Sequence, residues 1–200
     1  MKFVVVSLLL IAVIATLVVD ILDRQKTTDV VTSMEMGFPI YSRETPFTSH
    51  ISPTGRVFLL DNPKARDVSY QELLDFLRED PTDQLKYVRN EFSCSDFSEI
   101  LQHNAEKKGI QCAWVYVDLL GIADHSVNAF QTTDRGLIFV DDSGASDDPH
   151  PFNMDKTVVL EKGRDYCPES LFPEEGWSKQ WGCTGTIEDY RIYWTGFLTW

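Results

Sequence analysis

Apolar and polar positions follow each other along this chain in changing rhythms, and the changes mark out its elements. Residues 3–19 form an uncharged, almost wholly apolar run of 17, which Ile21 and Leu22 extend past Asp20. A helix of that length reaches about 26 Å against a hydrocarbon layer of about 30 Å, so the run predicts a transmembrane helix over residues 1–24. Periodicity then disappears, and Pro39, Pro46 and Pro53 give residues 25–66 the character of a stalk or an N-terminal arm. Within it RVFLL, residues 56–60, reads as a short strand. Ser69 and Glu72 form a capping box before Tyr70, Leu73, Leu74 and Leu77, predicting a helix that Pro81 ends.

A second helical rhythm starts at Cys94. Phe97, Ile100, Leu101 and Ala105 recur at helical spacing, Ser93 is a good N-cap, and Asp96 and Glu99 put negative charge in the first turns. Lys107, Lys108 and Gly109 close the helix at about residue 108. The rhythm then becomes that of strands. CAWVYVDLL (112–120) is aromatic and β-branched, and the runs 126–130 and 137–140 flank QTTDRG, which carries the turn formers Asp134 and Gly136. A hairpin in which Phe130 faces Gly136 pairs Ala129 with Leu137, Val127 with Phe139 and His125 with Asp141. Helices followed by an antiparallel sheet packed on the Cys94 helix predict an α+β domain over residues 67–200.

These elements carry three residues to compatible places. Cys94 stands at a helix start, where free backbone N–H groups and the helix dipole favour thiolate and can hold an oxyanion. His125 and Asp141 become cross-strand neighbours with Cβ atoms about 5 Å apart. Thiol, imidazole and carboxylate form a nucleophile, its base and the base's orienter. A slip of one residue would offer Asp142 instead. Tyr87 and Asn90 are weak candidates for a second oxyanion donor.

The segments CSDFSEILQHNAEKKG and HSVNAFQTTDRGLIFVDD resemble the transglutaminase-like superfamily of papain-type thiol enzymes, and more narrowly its membrane-tethered members of unknown substrate seen largely in archaea. The resemblance spans about residues 87–142. It implies Cys94 as nucleophile, His125 as general base and acid, and Asp141 as orienter. It also implies a protein or peptide substrate. Ser126 departs from the aromatic residue that animal-type members carry after the His, which bears on crosslinking more than on thiol chemistry.

Composition narrows the partners. Lys and Arg number 18 against 31 Asp and Glu, a net charge of −13, so nucleic acid is not an expected partner. The N-terminal run makes the membrane one: we expect an uncleaved, single-pass anchor with the domain extracytoplasmic, and a signal peptide cut after Ala15 is the competing reading. Of four cysteines, Cys94 must stay reduced to act. Cys167 and Cys183 are then the natural pair and Cys112 a buried thiol, whereas a reducing environment would keep all four as thiols.

Other signals carry less. DDSGASDD (141–148) is rich in carboxylates but lacks EF-hand spacing. Zinc lacks a fourth ligand beside Cys94, His125 and Asp141, so no metal and no cofactor is expected. His50, His103 and His150 read as surface residues, and Trp177, Trp181, Tyr193, Trp194 and Trp200 as packing for a final strand. Two functions remain: a membrane-anchored thiol acyl-transfer enzyme (peptidase, amidase or transglutaminase-like) acting on an amide or ester carbonyl, and an inactive membrane-tethered binding or scaffold domain of the same fold.

Overall fold

Strand-forming sequence governs the architecture from Arg56 onward. The computed structural model describes residues 56–144, 153–175 and 182–199. Its strands are β1 (Arg56–Leu59), β2 (Ala113–Leu120), β3 (His125–Thr132), β4 (Gly136–Asp141), β5 (Lys156–Val158), β6 (Asp165–Tyr166), β7 (Glu169–Ser170), β8 (Thr184–Tyr193) and β9 (Gly196–Thr199). Two α helices, α1 (Tyr70–Glu79) and α2 (Cys94–Lys107), and two short 3-10 turns complete the described residues. β6-β8-β2-β3-β4-β5-β7 form one sheet, with every paired neighbour antiparallel, and β1 pairs with β9 apart from it.

Side chains alternate across the sheet, so its two faces build separate cores. On the helix side Phe130, Val140 and Cys112 pack with Leu73, Phe76 and Leu77 of α1 and with Leu101 and Ala105 of α2. On the other side Val115, Val117, Val127 and Ala129 meet Val158, Tyr166 and Ile187. Each large apolar side chain buried this way contributes about 1.5–3 kcal/mol. Trp114 fills a third cluster with Val57 and Leu59 of β1. The last part of the expected arm is therefore woven into the domain: Glu99, Gln102 and Glu106 of α2 accept the backbone N–H groups of Phe58, Leu60 and Asn62.

The expectation of an α+β domain behind a transmembrane helix requires correction. Sheet dominates the described residues, 40% in strands against 23% in helices: β2, β3 and β8 are its long strands, and the C-terminal third adds the short strands β5, β6 and β7. Strands of two or three residues leave no alternation to read. A single-pass membrane localisation is corrected with it, since among the described residues no helix is long and apolar enough to cross a membrane. Helix α2, the longest at 14 residues, extends about 21 Å and is apolar on one face only. The expected anchor at residues 1–24 and the arm as far as residue 55 lie outside the described residues, as do Trp177, Trp181, Trp200, His50, His150 and the end of the DDSGASDD stretch.

The hairpin register also differs from expectation. Thr132 pairs with Gly136, Ala129 with Phe139 and Asn128 with Val140, two residues from the predicted pairing. Gln131 and Thr132 continue the strand. Thr132 closes the shorter loop by donating from Oγ1 to the Gly136 carbonyl at 2.7 Å and accepting the Arg135 N–H at 3.1 Å, while Gly136 takes the positive φ of 73° that the turn requires.

Candidate functional site

The sequence around Cys94 builds a well-capped helix start. Ser93 is extended, and the Asp96 carboxylate accepts its backbone N–H at 2.7 Å and its hydroxyl at 3.1 Å. Phe97 is fully buried and packs edge-on against Phe92 at 4.7 Å, fixing the approach of the preceding loop. Cys94 is thereby held as the first helical residue, 6% exposed, among the first-turn N–H groups that have no partner within the helix.

A two-residue change of register preserves faces, so His125 and Asp141 still point to the same side of the sheet. His125 Nε2 lies 3.1 Å from Asp141 Oδ2, which leaves Nδ1 for the sulfur. His125 hydrogen-bonds to the Cys94 thiol, and the backbone N–H and hydroxyl of Ser126 face the same sulfur. The Ser126 hydroxyl is fully buried and has no hydrogen-bond partner within bonding distance among the described residues. The structure thus brings Cys94, His125 and Asp141 into one hydrogen-bonded chain.

Sequence reasoning missed two groups that complete this chain. Tyr166 donates its hydroxyl to Asp141 Oδ2 at 2.7 Å and sets its ring edge-to-face against His125 at 5.2 Å. Lys156, paired with Asp141 in the β4–β5 ladder and 4% exposed, brings Nζ to 3.5 Å from Oδ1. The Ser143 N–H supplies a further donor to Oδ1 at 3.0 Å. A lysine just ahead of a β-branched run and a tyrosine beside a cysteine were the available signals, but their strands are too short to reveal which way they face.

The charges follow from this packing. Burial opposes ionisation of Asp141, yet Lys156, His125 and Tyr166 outweigh it and hold the carboxyl below the usual range. Burial likewise opposes the charged imidazole, but Asp141 and the Cys94 sulfur raise His125 to about 10. For Cys94, burial is overcome by the His125 charge and by hydrogen bonds from His125 and Ser126, so the thiol falls below its ordinary value. Both shifts favour the thiolate–imidazolium form of the pair over the neutral one. Cys112 is fully buried and is pushed well above the ordinary value by burial, against the hydrogen bond that Asn128 Nδ2 donates to its sulfur at 3.4 Å.

Neighbouring carboxyls behave differently. Asp142 points to the helix face, is fully buried, and is pushed up by burial and by the Asp141 charge. Tyr87 stacks on Phe97 at 6.4 Å, and its phenol is raised by burial and by the charge of Cys94, whereas Asn90 sits at an exposed turn with φ 66°. His103 is not a free surface residue: its ring contacts the Phe58 carbonyl of β1, and burial lowers its pKa. Cys167 and Cys183 are joined in a disulfide. Among the described residues no group of three or more His, Cys, Asp or Glu side chains is arranged to hold a metal ion.

Comparisons with protein-family models, with curated proteins and with solved structures find no match to this chain.

Proposed function

We propose that this protein is a thiol acyl-transfer enzyme of the transglutaminase-like, papain-type kind, acting on an amide or ester carbonyl of a protein or peptide. The observation that carries the reading is the continuous chain from Cys94 through His125 to Asp141, with the sulfur at a helix N-terminus and the carboxylate fully hydrogen-bonded. The Cys94 thiolate attacks the carbonyl carbon, and the charge on the carbonyl oxygen develops beside the first-turn N–H groups of α2. The imidazolium of His125 gives its proton to the leaving amine or alcohol, leaving a thioester on Cys94. His125 then takes a proton from water or an acceptor amine, which attacks the thioester and releases the thiolate. Asp141 keeps the imidazole oriented throughout and stabilises it whenever it carries the proton.

One observation favours the alternative of an inactive binding domain: Cys94 is 6% exposed and the His125 side chain 19%, so little of the thiol–imidazole pair meets solvent. A single experiment separates the two readings. Incubation with p-nitrophenyl acetate at pH 7, followed by rapid acid quench and intact-mass analysis, should show one acetyl group. Peptide mapping should place it on Cys94. An adduct absent from Cys94, or equally abundant in a Cys94→Ala variant, refutes the enzyme reading.

A further inference from the structure

Tyr166 reaches Asp141 from a distant part of the sheet. In the strand order three strands, β8, β2 and β3, stand between β6 and β4. In a flat sheet β6 and β4 would be about 19 Å apart. The hydroxyl nevertheless meets Asp141 Oδ2 at 2.7 Å, so the sheet curls until its edge strand closes over the carboxylate.

That edge strand is two residues long, and its own ladder is irregular: Asp165 pairs with Thr186 and Tyr166 with Thr184, with a register shift between them. Two ladder positions, with bonds from the Gly163 N–H to the Ile187 carbonyl and from the Ile187 N–H to the Arg164 carbonyl at 2.8 Å just before them, tie the chain to β8 up to Tyr166. The covalent tie comes immediately after. Cys167 follows Tyr166, Cys183 precedes Thr184, and the disulfide joins them beside the Tyr166–Thr184 pair. Tyr166 itself is 2% exposed, while the Cys183 end of the bond faces solvent. A buried tyrosine at the site is therefore fixed by a bond that a solution thiol can reach.

We infer that Tyr166 is a positioning residue for the Asp141–His125 pair and that the Cys167–Cys183 disulfide is the strut that keeps it there, so that reducing this bond disables the site while leaving Cys94 covalently unmodified. The inference rests on the proposed thiol chemistry. A dithiol reductant supplies the step: the S–S bond breaks, Cys167 and Cys183 each gain a hydrogen, and the dithiol loses two hydrogens and closes as its own disulfide. With the strand released, the phenol leaves Oδ2. The carboxylate then turns toward its remaining donors at Oδ1, Lys156 and the Ser143 N–H, and away from the imidazole. The ionisable groups facing the pair are Cys94 and, beside it, Tyr87 on the α2 side, Asp142 of β4, Lys156 of β5 and Tyr166 of β6. Asp83 and Asp155 act on Lys156. Only Tyr166 is attached to the strut.

The test reads the pH profile of Cys94 alkylation by iodoacetamide in the full chain, resolved by peptide mapping. It uses the oxidised protein, protein treated with dithiothreitol and desalted, a Cys167→Ser/Cys183→Ser double variant and a Tyr166→Phe variant. Circular dichroism checks that each is folded. We expect a depressed midpoint in the oxidised protein and an upward movement of half a pH unit or more, roughly the effect of one lost hydrogen-bonded partner, in Tyr166→Phe and in the reduced protein. Turnover of p-nitrophenyl acetate should fall in kcat with KM little changed. Tyr166→Phe keeps the ring and decides the matter even if the double variant does not fold. A depressed midpoint that neither reduction nor Tyr166→Phe moves upward overturns the strut and leaves the thiol-enzyme reading standing. An ordinary midpoint in the oxidised protein overturns both.

Discussion

His125 and Asp141 sit diagonally across the β3–β4 ladder rather than opposite each other, and imidazole and carboxylate still meet at 3.1 Å. The ladder tolerates this because a change of two residues leaves every side chain on its face. Asp142, one residue on, cannot substitute: it points to the helix side, where burial and the Asp141 charge push its pKa up and disfavour the carboxylate. The pairing therefore depends on parity, not on direct opposition.

Replacing Asp141 by Asn should separate its two tasks. The amide keeps the shape, but it cannot stabilise the imidazolium and leaves Lys156 buried without its carboxylate partner. We expect kcat for p-nitrophenyl acetate to fall by about 10²–10⁴-fold. The loss of a buried charge partner should cost about 3–5 kcal/mol in urea unfolding. Unchanged turnover with an unchanged unfolding midpoint would remove Asp141 from the site.

Thiol reactivity gives a sharper contrast, because Cys94 and Cys112 are both buried and differ in their partners. An ordinary thiol with pKa about 8.5 is only about 1% ionised at pH 6.5. Iodoacetamide at that pH should alkylate Cys94 in the folded protein faster than the same residue in urea, with Cys112 unlabelled. Equal labelling of the two cysteines in folded protein would contradict the thiolate assignment.

Much of this site could be read from local sequence. Ser93, Asp96 and the apolar spacing of Phe97, Leu101 and Ala105 define the start and buried face of α2, because caps and helical periodicity are short-range properties. Alternation in β3 and β4 likewise assigns Asp141 to the His125 face. Turn composition misled the register: Gln131 and Thr132 look like loop residues, yet the Thr132 hydroxyl closes a tighter turn. Tyr166 and Lys156 were not legible. They reach Asp141 through curvature of the whole sheet, from strands of two and three residues that have no periodicity to display.

Stability should depend on pH through α2. Burial pushes Glu106, and with it the more exposed Glu99, up to about 7 despite the backbone N–H groups they accept. A carboxyl raised on folding holds its proton in the native chain after the unfolded chain has released it, so stability is greatest below about pH 4.5 and is lost as pH rises through about 7. Glu106 alone should contribute about 1–3 kcal/mol to that decline. Urea unfolding between pH 5 and 7 checks it, with the slope as the readout: Glu106→Gln should flatten the decline, and an identical slope in the variant would show that Glu106 does not titrate there.

Gly144 offers a test of how tightly the far side of the site is packed. A Cβ at this position would press into the Leu85 carbonyl oxygen, within 2.8 Å of the Asp83 carbonyl and 3.0 Å of the Phe97 ring. Two of these neighbours are backbone, so relief requires the chain to move rather than a side chain to rotate. The segment that must move includes Ser143, whose N–H is bonded to Asp141 and whose carbonyl accepts Lys156 Nζ at 2.8 Å. We therefore expect Gly144→Ala to cost about 1–3 kcal/mol in urea unfolding, as overpacking does. It should also slow Cys94 alkylation at pH 6.5, because displacing Ser143 disturbs the donors that hold the carboxylate toward His125. A folded variant with wild-type stability and labelling rate would show that residues 143–144 yield without disturbing Asp141.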